Sequence, residues 1–336
     1  MNSGLDRIEV FQNIIEKYGR NAMEKAVVEV LDSKYDCGAV SSALKYHAKF
    51  LRSVSPIFPA LTSLSCEAVG GRMEKTTNIG AALTLFVEAA NVHDDIIDQT
   101  TTKYGRKTVF CKFGGDVTLL AGEVLLVQGS MLLHKECEAL PDEQKQAILD
   151  LTFEALIEIS NSVAMETKMR GKIDIKPQDY FEVIRLRAAV PEVHCKIGGI
   201  LGGGTEEVID ILGRYGRTYG IVGTIVDEFM DLLDQRKFGN RLRNECLPFP
   251  VLCALGNPMI KTEIKSFIDQ FDAARKGKDK TIGLVLRSDE VQKLKKDTIL
   301  LAEKELKEIT NFAINAASTN LLPLLEVLNE ILRTIG

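Results

Sequence analysis

The sequence has no tryptophan, only nine prolines and four histidines, and no long hydrophobic run among its 336 residues. Its longest mostly apolar run covers residues 79–87, which is too short for a membrane-spanning helix of about 20 residues. Residues 1–18 carry Asp6, Glu9 and Glu16 and no apolar core, which is not typical of a signal peptide. We therefore expect no transmembrane segment and a cytoplasmic location.

The composition also argues against a disulfide framework, a zinc site and a nucleic-acid partner. The seven cysteines are odd in number and form no Cys-x-x-Cys pair, which argues against a disulfide framework and against a zinc knuckle. Buried free thiols in a reducing compartment are the expectation. The net charge of −5 provides no basic field for coating nucleic acid, so no nucleic-acid partner is predicted.

Apolar residues recur at three- and four-residue steps along most of the chain, which is typical of helices. Strand signals are too few to organise a sheet; residues 108–113 are the best strand candidate. The run Gly202–Gly204 has no preceding strand and no following Lys-Ser or Lys-Thr, so we interpret it as a turn rather than a phosphate loop. The sequence predicts one all-α helical bundle, residues 1–336, as a single domain. Helices are expected over residues 10–31, 41–51, 59–68, 76–98, 117–138, 142–167, 177–200, 205–233, 260–274, 288–317 and 321–335.

Two acidic clusters lie inside otherwise apolar predicted helices. In the first, Asp94 and Asp98 are four residues apart and share a helix face, with Asp95 about 100° round. In the second, Asp227 and Asp231 repeat this spacing, with Glu228 beside them. Two solvated helix faces are the plain alternative, but carboxylates among apolar residues also favour a divalent cation. Oxygen-only ligands suit Mg²⁺, which bridges phosphates, and cations downstream of each cluster suit diphosphate departure.

Four segments, in order along residues 40–255, carry a family resemblance. They are the stretch from His93-Asp94-Asp95 to Phe113-Gly114, the helix start Leu120-Ala121-Gly122-Glu123, the helix Tyr180–Gly199, and Asp227-Glu228-Phe229-Met230-Asp231. Together they resemble the trans-isoprenyl diphosphate synthases, the polyprenyl synthetase family. The resemblance implies a helical bundle around a deep central cavity, usually a homodimer. It also implies that three Mg²⁺ ions pull diphosphate from an allylic substrate, after which isopentenyl diphosphate attacks.

The same resemblance assigns roles by position. Two of the metals would be held by Asp94, Asp95 and Asp98, and the third by Asp227 and Asp231. Lys103 and Arg187 fall where the family has cations on the allylic diphosphate, and Lys237 is expected as a third cation. Arg187 and Ala188 replace the family's Lys-Thr pair.

The sequence departs from the family where isopentenyl diphosphate would bind. The family's Lys, Arg, His and second Arg fall on Ser55, Phe58, Val87 and Tyr104, none of them cationic. Lys45, Lys49 and Arg52 lie nearby and would substitute only in a rebuilt loop. Charge-assisted contacts to a diphosphate are worth about 1.5–3 kcal/mol each, so their loss argues against ordinary chain elongation. A cyclase, a diphosphate lyase, quenching by water or transfer to another acceptor would need only the metal-binding half, while membership of the family would keep chain elongation open.

The resemblance also bears on substrate length. Ala89 and Ala90 stand where bulky residues close the family's pocket, and Phe86 lies one turn further down the helix. We expect an allylic chain of about C15–C25 with Phe86 as the floor of the pocket. The plain alternative is that both alanines are helix-packing residues.

Three rival interpretations lie outside this enzyme class. His93-Asp94 resembles the HD phosphohydrolase dipeptide, with His47 as a further ligand, but four histidines are few for such a site and Asp227 would have no role. No pair of Glu-x-x-His motifs supports a di-iron bundle. A non-catalytic subunit that pairs with a catalytic homologue would explain the missing contacts, although such a subunit needs no metal ligands.

Overall fold

The computed structural model describes residues 3–32, 38–270, 278–312 and 318–335. This part of the chain is almost entirely helical, which confirms the predicted all-α class. Two 3₁₀ turns occupy Met73–Thr76 and Ser318–Leu321, and two short strands, β1 (Thr102–Lys103) and β2 (Arg106–Lys107), form a hairpin. The α-helices are α1 (Ser3–Leu31), α2 (Ala39–Leu51), α3 (Ile57–Ala68), α4 (Thr77–Ile97), α5 (Val109–Phe113), α6 (Gly115–Cys137), α7 (Asp142–Met169), α8 (Pro177–Arg187), α9 (Ala189–Gly202), α10 (Glu206–Leu233), α11 (Gln235–Asn244), α12 (Phe249–Ala254), α13 (Pro258–Gln270), α14 (Lys278–Arg287), α15 (Asp289–Phe312) and α16 (Leu322–Thr334).

The helix predicted over residues 177–200 is in fact two helices, α8 and α9, which meet at Ala188. Pro191 has no N–H to donate to the carbonyl of Arg187, and its ring crowds that residue. The interruption therefore falls where the proline removes a helical hydrogen bond. The predicted turn at Gly202–Gly204 is confirmed: α9 ends at Gly202, and Gly203 has a φ of +80°.

The strand candidate at residues 108–113 was wrong, because this segment forms the short helix α5. Thr108 caps it by accepting a hydrogen bond from the backbone N–H of Cys111 at 3.0 Å. Such a cap stabilises a helix start that the apolar pattern alone does not reveal. The hairpin just before α5 turns at Tyr104 and Gly105, which both have positive φ.

Helices α11, α12 and α14 were not predicted, since they are short and two of them lack a long apolar stripe. The predicted segments 271–274 and 313–317 lie outside the described residues, as does Cys37. The six described cysteines are free, and five of them are buried. Burial raises the pKa of the Cys195 thiol to about 12 and that of Cys66 to about 11, which agrees with unreactive core thiols.

The chain contains two compact units. The first comprises Met1–Leu156, Val190–Gly216 and Ile309–Pro323; the second comprises Ile157–Ala189, Arg217–Glu308 and Leu324–Gly336. The first acidic cluster lies in the first unit and the second cluster in the second. A single domain over residues 1–336 remains a prediction.

In the first unit, α4 and α6 pack closely because α6 presents two glycines to α4. A Cβ at Gly122 would lie 2.2 Å from Nε2 of His93, and one at Gly129 would lie 3.3 Å from Phe86. The seven-residue spacing puts both glycines on one face of α6. The backbones can therefore approach without displacing the His93 ring, which contacts the carbonyl of Leu119 at 3.3 Å.

One described helix, Gly115–Cys137, is long and apolar enough to cross a membrane by length and composition alone. Within the most apolar 18-residue stretch of this helix, 44% is buried inside the protein. A single helix of this kind is weak evidence for a span, because core helices of soluble proteins meet the same criteria. The cytoplasmic location stays a prediction.

Candidate functional site

The first acidic cluster occupies the C-terminal end of α4. Asp94 is half-buried and Asp98 is buried, and the backbone N–H of Asp98 closes the last helical turn on the carbonyl of Asp94 at 2.8 Å. The helix ends there because Gln99 adopts a φ of +52°. Asp94 and Asp98 thus lie one turn apart on the same side of the helix, as predicted.

Asp95 lies on a different side of α4 and has its own partner. Its carboxylate oxygen Oδ1 is 2.7 Å from Nζ of Lys103 on β1, and it is buried. Burial raises the pKa of Asp95, although Lys103 opposes the shift. Two residues predicted to bind metal and diphosphate, respectively, therefore hold each other in an ion pair.

The second acidic cluster lies on the last turns of α10. Asp227 is exposed, while Asp231 is half-buried and pairs with Nζ of Lys237 at 2.7 Å. Desolvation and the neighbouring Asp231 raise the pKa of Asp227 to about 6. The part of this shift that comes from Asp231 is a repulsion between two carboxylates, which a divalent cation between them would relieve.

A buried network of charged and polar groups lies behind the second cluster. Glu228 accepts hydrogen bonds from Nη2 of Arg241 at 2.9 Å and from the backbone N–H of Phe249 at 2.8 Å. The hydroxyl of Tyr180 lies 3.0 Å from Glu228 and 2.7 Å from Nη2 of Arg241. Burial alone would lower the pKa of Arg241, but Glu228 and the other carboxylates outweigh it and keep that pKa well above its usual value. Glu228 is thus fixed inside the protein, while Asp227 and Asp231 on the same helix stay more accessible.

The three cations assigned to the allylic diphosphate each contact a carboxylate. Lys103 pairs with Asp95, Lys237 with Asp231, and Arg187 at the end of α8 with Glu166. Arg241 also reaches Asp231, with Nη1 3.4 Å from Oδ2. Each of these three cations is therefore already paired with a carboxylate in the structure.

The donor set fits Mg²⁺ in its chemistry. Asp94, Asp98, Asp227 and Asp231 supply carboxylate oxygens, which that ion prefers. Within the described ranges, no three His, Cys, Asp or Glu side chains already converge as a metal site. Mg²⁺ usually completes its coordination with waters and substrate phosphates, so one or two carboxylates at each cluster suffice.

The four positions predicted to lack the family's isopentenyl diphosphate contacts all lie in the first unit. Ser55 is exposed, Val87 is half-buried, and Tyr104 is 81% exposed. Phe58 stacks on His194, with ring centroids 5.7 Å apart. Of the nearby cations, Arg52 already pairs with Glu24, at 3.2 Å from Nε to Oε2.

His194 is fully buried, and its Nδ1 lies 2.7 Å from the hydroxyl of Thr62. Burial lowers the pKa of His194 from 6.5 to about 3, so the folded protein holds it neutral. The unfolded chain takes up this proton below about pH 6.5. The stability contributed by the neutral ring is therefore complete above that pH and is lost as the pH falls towards 3.

We expect the free energy of unfolding to fall by about 2 kcal/mol more in the wild type than in His194→Gln between pH 6.5 and 4.5. The physical reason is that only the wild type must bury an imidazole that acid would charge. Urea unfolding at several pH values measures the difference. Only the slope is compared, because the substitution also removes the stack on Phe58. Equal slopes would contradict a neutral buried His194.

The predicted chain-length residues lie where α4 faces α6. Phe86 and Ala89 are buried and Ala90 is half-buried. Of these three residues, Phe86 packs against α6, because a Cβ at Gly129 would lie 3.3 Å from its ring. Their role in chain length stays a prediction.

Sequence reasoning assigned no role to Glu166, Tyr180 or Arg241. Arg241 lies 13 residues from Glu228, and Glu166 lies 21 residues from Arg187. Such pairs follow no helical spacing and depend on the fold. The one local signal is a charged residue, Arg241, three residues after the buried Phe238 on α11.

Comparison with known proteins gives relatives of one kind. The chain is 31% identical over 183 residues to the geranylgeranyl diphosphate synthase of Sulfolobus acidocaldarius, covering 54% of this chain and 56% of that protein. The chain spans little more than half the length of the curated relatives it matches. Two crystal structures share its fold. They are geranylgeranyl pyrophosphate synthetase from Pyrococcus horikoshii (24% identity, TM-score 0.78, 96% of this chain and 98% of that one) and polyprenyl synthase from Caulobacter crescentus complexed with calcium and isoprenyl diphosphate (17% identity, TM-score 0.79, 94% and 97%).

The family model described as polyprenyl synthetase matches residues 45–285, which is more than half of the chain. Both acidic clusters and the three cations Lys103, Arg187 and Lys237 lie within the matched residues. The match confirms the resemblance carried by these motifs. The chain belongs to the polyprenyl synthetase family.

Proposed function

We propose that this protein is a Mg²⁺-dependent transferase that ionises an allylic prenyl diphosphate of about C15–C25. The observation that carries the proposal is the pair of aspartates four residues apart on α4, repeated on α10. Family membership supports it, as do relatives named geranylgeranyl diphosphate synthase. Calcium and isoprenyl diphosphate bound to a protein of the same fold support a divalent cation beside such a substrate.

In this proposal, Asp94 and Asp98 on α4 and Asp227 and Asp231 on α10 would hold Mg²⁺, in three ions if the family pattern applies. Bound Mg²⁺ would neutralise the charge that develops on the departing diphosphate. Lys103, Arg187 and Lys237 would turn from their carboxylate partners to diphosphate oxygens. Asp95, which pairs with Lys103, would then act through that lysine or join the metal site once the lysine has moved.

The second substrate is the part of the proposal that departs from the family. Phe58, Val87 and Tyr104 supply no cation for the diphosphate of isopentenyl diphosphate, and Arg52 is engaged by Glu24. We therefore infer that the carbocation is captured by another acceptor or by an internal alkene, or that it loses a proton. A non-catalytic subunit that pairs with a catalytic homologue is the remaining candidate, because Phe58, Val87 and Tyr104 stand where the family has cationic contacts.

The test is diphosphate release from geranyl, farnesyl and geranylgeranyl diphosphates with Mg²⁺, each with and without isopentenyl diphosphate. We expect release without isopentenyl diphosphate, highest for the longer substrates, and its loss when a chelator removes the metal. Chelation removes the electrostatic stabilisation of the leaving group, a change of about 10³-fold or more. If diphosphate release and a longer product both required isopentenyl diphosphate, the inferred loss of the isopentenyl diphosphate contacts would be contradicted. No release from a folded sample would favour the subunit alternative.

The proposal extends to assembly as a homodimer, or as a heteromer with a homologue. Leu120, Val127 and Met131 follow one side of α6 and are between 47% and 61% exposed. An apolar helix face of this kind suits a protein partner. Light scattering on the assay samples measures the mass, and a 37.1 kDa monomer in every active sample would contradict the proposal.

A further inference from the structure

The first unit contains a cavity of about 110 Å³ beside the first acidic cluster. Its walls come from α2, α4, the β-hairpin and the start of α5. Aromatic rings form much of the apolar surface: Phe50 and Tyr104 lie 5.8 Å apart between ring centroids, and Tyr46 adds a third ring. The cavity lies entirely within residues 46–109.

Two carboxylates, two lysines and one histidine line this cavity. His47 and Glu88 are both buried, with Nε2 3.0 Å from Oε2. Asn91 at the mouth donates to Oε1 of Glu88 at 3.2 Å. The Lys103–Asp95 pair closes another side, and the exposed Lys107 lies at the edge. Two carboxylates in the wall, Glu88 and Asp95, oppose a diphosphate, and the Lys103 ammonium opposes a second ammonium group.

The volume of the cavity also limits the size of the molecule that it can hold. A cavity of about 150 Å³ holds benzene, so a space of this volume takes a molecule of about six non-hydrogen atoms or fewer. The aromatic walls suit a short hydrocarbon, whereas Glu88 and Asn91 offer an acceptor and an amide to one hydroxyl. An uncharged short alcohol meets both demands.

We propose that this cavity binds a small uncharged alcohol with its hydroxyl towards Glu88 and Asn91. Its role as the acceptor rests on the proposed function. In that role, the bond between the allylic carbon and the diphosphate oxygen breaks, and diphosphate leaves with the electron pair. The alcohol oxygen forms the new bond to that carbon. Its proton passes to a carboxylate oxygen of Glu88, so the products are a prenyl ether and diphosphate.

Binding is measured first, without Mg²⁺ and without an allylic diphosphate, so that it does not depend on catalysis. The probes share one carbon skeleton: 3-methyl-3-buten-1-ol, the corresponding amine and isopentenyl diphosphate. We expect the alcohol to bind at least tenfold more tightly than the other two. Tighter binding of the amine or of the diphosphate would overturn the proposal.

Two variants connect binding to the cavity. Asn91 is exposed on α4 at the cavity mouth, so Asn91→Phe closes the entrance without disturbing the core. We expect it to weaken alcohol binding at least tenfold. Asn13→Phe, the same change at an exposed position of α1 away from the cavity, should leave binding unchanged. Equal binding by wild type and Asn91→Phe would overturn the site. Glu88→Gln keeps the side-chain size and should reduce the preference for alcohol over diphosphate about tenfold.

Diphosphate release from farnesyl diphosphate is measured separately on the same samples. Alcohol binding without release would support the cavity and contradict the proposed function. Diphosphate release with no alcohol binding would support the proposed function and contradict the alcohol site. Release accompanied by an ether product that Asn91→Phe lacks would support both.

Discussion

Replacing Asp227 by alanine is expected to lower the rate of diphosphate release about 10³-fold or more without loss of stability. Loss of one group that stabilises charge in a transition state costs about 10²–10³ in rate, and a lost metal ligand removes more than one contact. Stability should hold, because Asp227 is exposed and Asp231 repels it. Steady-state release of diphosphate with saturating Mg²⁺ measures the rate, and thermal unfolding measures stability.

The control for this experiment lies on the same helix. Asp210 is an exposed carboxylate near the start of α10, and Asp210→Ala should leave the rate of release unchanged. A partial return of activity at high Mg²⁺ would support a weakened metal site. Equal rates for Asp227→Ala and the wild type would contradict the assignment of the second cluster.

The second large effect concerns Arg241, for which we expect Arg241→Met to reduce the free energy of unfolding by about 3–5 kcal/mol. The guanidinium is buried and pairs with Glu228, contacts the hydroxyl of Tyr180, and donates to the carbonyl of Cys246 at 2.8 Å. Removing it leaves the Glu228 carboxylate buried without its counter-charge. Chemical denaturation, with the cooperativity of unfolding checked, measures the loss.

A double substitution separates loss of charge pairing from loss of packing. Glu228→Gln should cost clearly less stability in the Arg241→Met background than in the wild type, because the unpaired charge is then removed. The matched control is Arg236→Met, at an exposed position of the same helix, with a change within about 0.5 kcal/mol. Additive losses for Glu228→Gln and Arg241→Met would contradict a coupled pair.

Local periodicity was enough to predict the helical class and the position of both acidic clusters. Each cluster spans a single helical turn, so spacing alone aligns Asp94 with Asp98 and Asp227 with Asp231. Most predicted helix ends lie within a few residues of the observed ones, since the apolar stripe is itself local. The exception at Ala188 depends on one proline, whose effect falls four residues before it.

The partners of the site residues were beyond such reasoning. Thr62 and His194 are 132 residues apart, and Glu228 and Arg241 lie on different helices. The pairing of Lys103 with Asp95 needs the hairpin between α4 and α5, whose two-residue strands give no periodic signal. Local patterns thus predicted which residues carry charge near the clusters, whereas tertiary packing decided which charges neutralise each other.

The contact of Gly122 with His93 restricts how α6 can vary in sequence. A side chain at position 122 would overlap the imidazole ring, and relief of this overlap would require α4 to shift or rotate beside Asp94. Because His93 directly precedes Asp94 on α4, the residue at position 122 limits where the Asp94 backbone can lie beside α6. We therefore predict that a larger residue at position 122 of α6 would alter the geometry of the proposed metal site.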